Sequence, residues 1–183
     1  MGHGNFIVSD THFNHSRIIA ATGRPFMSVV DMNYSLIENW NKTVKKTDTV
    51  YVLGDFAFAN KSMITELVSR LNGKKTLILG NHDIRINKHE KFWYECGFDK
   101  VSEYSIIFKN HFILCHKPIK NHGNFWVFHG HIHSNLIDDE HYINVSVEHT
   151  DYRPVNLDAL IAKVYKSDRW ISEIRNGEKE ENG

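Results

Sequence analysis

Short apolar runs alternate along the chain with amphipathic stretches. Asn5-Phe6-Ile7-Val8-Ser9, Asp48-Thr49-Val50-Tyr51-Val52-Leu53 and Lys75-Thr76-Leu77-Ile78-Leu79 are apolar or β-branched over strand length, and each predicts a buried strand. Between the first two, Met32, Leu36, Ile37, Trp40 and Val44 recur at helical spacing. They predict a helix over 31–46, capped by Asp31 and carrying Lys45 and Lys46 at its negative end. A shorter helix over 16–21 is broken at Gly23 and Pro25. Met63, Ile64, Leu67, Val68 and Leu71 predict a further helix, capped by Asn60 or Ser62 and stopped at Asn72-Gly73. Strand, helix, strand, helix, strand implies right-handed crossovers and a largely parallel sheet. Such sheets bind ligands beyond the carboxyl ends of their strands.

The second half reads as strands over 101–108, 111–115, 125–129 and 142–147, then a helix over 156–166. Its connections leave little room for crossover helices, which predicts more antiparallel pairing in a second sheet packed on the first. The fold class is α/β: two mixed sheets packed as a sandwich and flanked by helices. One domain is expected over 1–175, with a frayed charged tail over 176–183.

Composition narrows the function classes. A chain of 183 residues suits one core. Lys plus Arg equals Asp plus Glu, at 22 each, which argues against a protein that clamps long nucleic acid by charge. The 13 histidines form no adjacent run, so they raise the prior for a metal or acid–base site. Cys96 and Cys115 have no CxxC spacing and read as reduced thiols, which suits a cytoplasmic protein. No signal peptide and no membrane-spanning run is seen.

The polar residues that end the apolar runs change the picture most. Asp10 and His12 follow the first run, Gly54-Asp55 the second and Gly80-Asn81-His82-Asp83 the third. His116 follows Cys115, and Gly130-His131-Ile132-His133 follows His129. Singly, each piece has an ordinary reading as a turn, a cap or a surface residue. Jointly, all at strand ends, they predict a site for two divalent metal ions. Two such ions in a hydrolase sit ~3.5–4 Å apart and need a bridging anion. Asp55 is the best bridge. One ion would take Asp10, His12, Asp55 and one histidine of the final pair; the other would take Asp55, Asn81, His116 and the second histidine. In extended chain, the spacing of His131 and His133 puts both imidazoles on one side.

This ordered set resembles the motifs of the calcineurin-like metallophosphoesterases, over residues 5–133. Asp10 to His15, Arg24-Pro25-Phe26 and Glu38-Asn39-Trp40-Asn41 resemble the small, uncapped bacterial and phage branch of that family. The resemblance implies the sandwich fold, with His133 beside Asp10, His12 and Asp55, and His131 beside Asp55, Asn81 and His116. It implies manganese first, with iron, zinc or nickel as alternatives.

The expected function is hydrolysis of a phosphate ester, a nucleotide-type phosphodiester slightly ahead of a monoester. A metal-bridging hydroxide attacks, and His82 is the general acid. Asp83 either orients the His82 region or lies at the surface. Asn14, His15, Arg24 and Arg85 are candidate substrate contacts, the arginines because guanidinium matches phosphate geometry; for each arginine, a surface or structural role is the alternative. His129 packs or supports a ligand. Expected partners are small phosphate esters or nucleotides, and nucleic-acid ends. Two alternatives stay open: a phosphomonoesterase acting on small phosphorylated metabolites, and a catalytically silent scaffold of the same fold.

Overall fold

Strand β1 (Asn5–Val8) sends alternate side chains into two separate cores. Phe6 and Val8 join one core, and Ile7 joins the other. Strand β2 (Thr49–Val52) repeats the division, with Val50 and Val52 on the first side and Tyr51 on the second. Alternation of period two places neighbours on opposite faces, so this sheet is covered on both. The computed structural model describes residues 3–167. The expected tail over 176–183, the last residues of the expected domain and Trp170 lie outside the described residues.

Helix α1 (Ser16–Thr22) and helix α2 (Val29–Thr43) connect β1 to β2, and α3 (Lys61–Arg70) connects β2 to β3 (Lys74–Ile78). Two short helices, α4 (Asn81–Ile86) and α5 (Glu90–Glu95), precede β4 (Lys100–Ser102). Strands β5 (Ile106–Phe108), β6 (Phe112–Leu114), β7 (Trp126–His129) and β8 (Tyr142–Asn144) follow. A 3-10 turn (Val147–His149), β9 (Val155–Asn156) and a helix over 157–167 complete the described chain. The first sheet has the order β4-β3-β2-β1-β9, with β1 to β4 mutually parallel and β9 antiparallel to β1. The second has the order β5-β6-β7-β8. Met32, Leu36, Trp40, Ile64, Leu67 and Trp93 pack helices on the outer face of the first sheet. Phe112, Leu114, Phe128, Leu157 and Ile161 fill the other core with Ile7, Leu53 and Ile78. These are the two mixed, helix-flanked sheets of the expected fold class. No helix among the described residues is long and apolar enough to cross a membrane.

Three expectations are corrected. The second sheet is not mainly antiparallel: only β5 and β6 pair that way, while β6–β7 and β7–β8 are parallel. Parallel pairing needs a long return path but not a helical one. The loops over 115–125 and 130–141 carry the chain back as turns and coil. The run 101–108 is not one strand. It bends after Ser102, where Ser102 Oγ bonds to the carbonyl of Tyr104 at 2.8 Å, so β4 joins the first sheet and β5 the second. Helix α2 starts at Val29, not Asp31. Ser28 is its N-cap, accepting from the Asp31 amide at 3.1 Å, and the Asp31 carboxylate accepts from the Met27 amide at 3.0 Å. The helix ends at Thr43, which leaves Lys45 and Lys46 beyond it.

Because β1, β2, β3, β6 and β7 share a direction within their sheets, each delivers its following loop to a carboxyl end. Ser9 ties the two sheets there: its amide donates to the Val145 carbonyl at 3.0 Å, and Ser9 bridges Ser146 in parallel.

Candidate metal centre

Six of the ten non-glycine residues at positive φ among the described residues lie in these loops: Asp10 (57°), His12 (48°), Asn14 (63°), Asp55 (53°), His131 (72°) and His133 (50°). The left-handed region costs a non-glycine residue roughly 1–3 kcal/mol and persists only where surroundings enforce it. The enforcement is visible. The amide of Asp10 donates to the Gly54 carbonyl at 3.1 Å and that of His12 to the Asp55 carbonyl at 3.0 Å, so the first two loops run side by side. Asp10 Oδ2 accepts from the His131 amide at 2.9 Å and from Ser146 Oγ at 3.0 Å, pinning the last loop to the first. Two glycines are required by this closeness. A Cβ on Gly80 would collide with the Asp55 backbone and carboxylate, and one on Gly130 with Ser9 and Asp10. Gly80 itself has φ −85° and ψ 175°, so it is required for this close approach and not for a left-handed backbone.

The loops bring all seven expected metal-site side chains together. Asp10, His12 and His133 form one group whose donor atoms lie within 4.8 Å of one another, and Asp55, His116 and His131 form a second. Asp55 stands between them, with Oδ2 3.6 Å from His12 Nε2 and Oδ1 3.4 Å from His116 Nε2. Asn81 joins the second group, its Oδ1 3.0 Å from His116 Nε2. His82 lies beside the pair, with Nε2 3.9 Å from Asp55 Oδ2 and its side chain a quarter exposed.

The donor set fits divalent cations. Asp10 Oδ1 and His12 Nε2 are buried without a hydrogen-bond partner, 3.8 Å apart. Leaving buried polar atoms unpaired costs about 1–3 kcal/mol each, and a shared cation would satisfy both. His116 Nδ1 lies 2.8 Å from the Leu53 carbonyl and so carries the proton, which turns the Nε2 lone pair towards Asn81 and Asp55. Burial holds the imidazoles of His12 and His131 below their ordinary range, and neighbouring cationic groups add to this. Burial also pushes the Asp55 carboxyl up to about 7, with the Asp10 carboxylate contributing against the pull of the His82 amide. A group so disposed gains from a positive charge nearby.

His133 differs. Burial would lower its pKa, but the Glu148 carboxylate at 3.1 Å from Nδ1, together with Asp10, outweighs this and raises it. Glu148 is held in turn by Arg24, whose Nε and Nη2 donate to Oε1 at 3.0 and 2.8 Å. Burial raises Glu148, yet His133 and Arg24 together bring it down to about 2. Arg24 is therefore corrected as a substrate contact. Its side chain is fully buried, and its other bonds go to the carbonyls of Thr11 at 3.0 Å and Asp10 at 2.7 Å. It braces the first loop from behind. Partners of this kind typically change metal affinity ~10–100-fold. Glu148→Gln should accordingly weaken binding of one cation by about that factor, with the second site unaffected, in a two-site calorimetric titration with Mn.

The remaining expected residues divide. His15 lies in the cleft, its Nδ1 3.3 Å from His12 Nδ1 and its ring stacked on Phe58 at 4.9 Å. Asn14 Oδ1 is taken by Asn33 Nδ2 at 2.5 Å, which fixes the loop. Arg85 is exposed on α4, near enough for its charge to act on His82. His129 is buried and bonds through Nδ1 to the Gly130 carbonyl at 2.9 Å, so it supports the loop that carries the final pair. Asp83 is no surface residue. It is buried, accepting from the amides of Asp55 at 2.8 Å, Gly80 at 2.9 Å and Phe56 at 3.0 Å. Its place three residues after Gly80, at the third position of a helix, is a capping signal. Glu148, Asn33 and Ser146 left no such signal in the sequence.

Strand-end loops from two packed sheets, carrying two groups of metal-type donors joined by one carboxylate, define a metallohydrolase-type site. The chain belongs to the calcineurin-like phosphoesterase family, whose model matches residues 6–182. It is 40% identical over 173 residues to an uncharacterized protein of Methanocaldococcus jannaschii, covering 88% of this chain and 91% of that one. The gene 66 protein of Mycobacterium phage L5 is 36% identical over 81 residues, 43% of this chain and 39% of that protein. The crystal structure of a protein of unknown function from Aquifex aeolicus superposes with a TM-score of 0.69 at 27% identity, covering 89% of this chain and all of that one.

Proposed function

We propose that the metal-dependent hydrolysis of phosphate esters supported by family membership runs here on two divalent cations, manganese first and iron, zinc or nickel as alternatives, and that phosphodiesters of nucleotide type are better substrates than monoesters. The observation that carries the two-cation reading is the pair of donor groups that meet at Asp55. Asp10, His12 and His133 would hold one ion, Asn81, His116 and His131 the other, and Asp55 both. Mixed nitrogen and oxygen donors suit these metals. When bound, such ions lower the pKa of an attacking water and neutralise charge on the phosphate oxygens.

The protein's own groups supply the rest. Water adds to phosphorus and gives up a proton to solvent as the bond to the leaving oxygen breaks, and His82, in its imidazolium form, gives that oxygen a proton. His82 stands beside both donor groups, its Nε2 3.9 Å from Asp55 Oδ2 and its side chain a quarter exposed, which puts it within reach of a leaving oxygen in the cleft. Two openings support a diester. One, of about 360 Å³, borders Asn81 and His116. Another of about 360 Å³ borders Asn14, His15 and Phe58, on the His82 side. A diester has a substituent for each, whereas a monoester would use one. Two buried, unpaired cysteines, Cys96 and Cys115, fit a reducing cytoplasmic setting.

With added Mn, the full chain should hydrolyse bis-p-nitrophenyl phosphate with a higher kcat/KM than p-nitrophenyl phosphate, and chelation should abolish both. His82→Ala should lower turnover of a diester with an alkyl leaving group by ~10²–10⁴-fold. The loss should be smaller with p-nitrophenolate, which needs no proton, and bound metal should stay the same. Equal loss of metal would make His82 a ligand. Absence of turnover with every metal would favour the silent scaffold.

A further inference from the structure

The opening beside Asn81 and His116 joins an aliphatic lining to residues of the metal centre. Its floor is aliphatic, formed by Ile78 and Leu79 at the end of β3, and Ile84 on α4 and Ile119 form its sides. Tyr104, in the bend between β4 and β5, lines it with three-quarters of its surface exposed. Ile84 is also exposed, at 41%. Large apolar side chains left in water around a concavity mark a ligand surface more often than a packing defect. The inner end is shared with the metal centre through Asn81 and His116, so a phosphate held there would project one substituent into the opening.

The rim is polar and asymmetric. Lys117 follows His116 and lines the opening, which puts a positive charge at its inner rim beside the donor groups. That position suits a phosphate oxygen. Glu103 and Ser105 line the outer rim. A carboxylate and a hydroxyl there match a group with donors on its edge, not an alkyl chain.

We propose that this opening is the subsite for the nucleoside that stays on the phosphate, with its flat base against Tyr104 and Ile84 and its polar edge at Glu103 and Ser105. The proposal rests on the phosphoesterase reading and deepens it by naming the retained substituent. The leaving alcohol then lies on the opposite, His15–Phe58 side, where His82 reaches its oxygen. Hydrolysis breaks the bond to that alcohol and leaves a nucleoside monophosphate and a free alcohol.

The test compares thymidine 5′-(p-nitrophenyl) phosphate with methyl p-nitrophenyl phosphate on the Mn-supplied full chain. The leaving group is the same, so the ratio of kcat/KM reads the retained substituent alone. Base–aromatic stacking corresponds to roughly 5- to 150-fold, and the ratio should favour the thymidine ester by at least about 10-fold. Tyr104→Ala should bring the ratio to within about three-fold of unity, and Tyr104→Phe should keep most of it. A ratio near unity in the wild type, or one that Tyr104→Ala leaves intact, overturns the subsite while the phosphoesterase reading stands. If neither ester is turned over, that reading fails, and calorimetry still decides the subsite. Thymidine 5′-phosphate should bind the Mn-loaded protein at least about 10-fold more tightly than ribose 5-phosphate, with Tyr104→Ala removing the difference. Equal affinities overturn it.

Discussion

Asp55→Asn should reduce bound Mn from two ions per chain to one or fewer and lower phosphodiester turnover by on the order of 10³-fold or more. The substitution keeps the shape and an acceptor for the His82 amide, which bonds to Asp55 Oδ1 at 2.8 Å. It removes a carboxylate that faces both donor groups, 3.6 Å from His12 and 3.4 Å from His116. Lost partners behind a ligand already cost ~10–100-fold in metal affinity, so loss of the shared carboxylate should cost more at both ions. The fold should survive, because Asp55 contributes its backbone, not its charge, to the paired loops. Full metal content in Asp55→Asn, measured by plasma mass spectrometry after desalting, would remove Asp55 from the bridging role.

The second large effect is on stability. Asp83→Ala should lower stability by roughly 3–5 kcal/mol, because three buried amides lose their acceptor at once and each costs about 1–3 kcal/mol unpaired. For a chain of this size that is a fall in Tm of roughly 10–15 °C. Burial and the nearby Asp55 carboxylate raise the pKa of Asp83, while the amides of Gly80 and Phe56 oppose this. Asp83→Asn keeps one acceptor oxygen and should fall between wild type and alanine. A calorimetric scan of the metal-free protein separates this from any effect of metal binding. A shift under about 3 °C for Asp83→Ala would show that the three amides find other partners.

The contrast between Asp55 and Asp83 shows what could be read from the sequence. Asp55 was legible because it ends a buried run, and parallel strands send such ends to one edge. The same logic placed Asp10, Asn81, His116 and the final histidine pair. The left-handed backbone at six loop positions was not legible, since nothing in an Asp or His residue type demands positive φ. The direction of β6, β7 and β8 was misread because a loop without a helix can still cross over. Helix α5 buries only Trp93, so it has no apolar period to read. Strand β9 is two residues long and exists only through its pairing with β1. Arg24 and Glu148 are far apart in sequence, and only the folded chain shows the guanidinium turned away from the cleft to hold the carboxylate behind His133. Asp83 lies between these extremes: its capping position was there to be read, but its contacts with the amides of Asp55 and Phe56 come from the neighbouring loop.

If five strand ends build one site for two cations, anomalous diffraction from crystals grown with Mn should show both. Two peaks roughly 3.5–4 Å apart are predicted. One should lie against Asp10, His12 and His133, the other against Asn81, His116 and His131, with an Asp55 oxygen at each. A single peak, or two peaks not joined by Asp55, would contradict it.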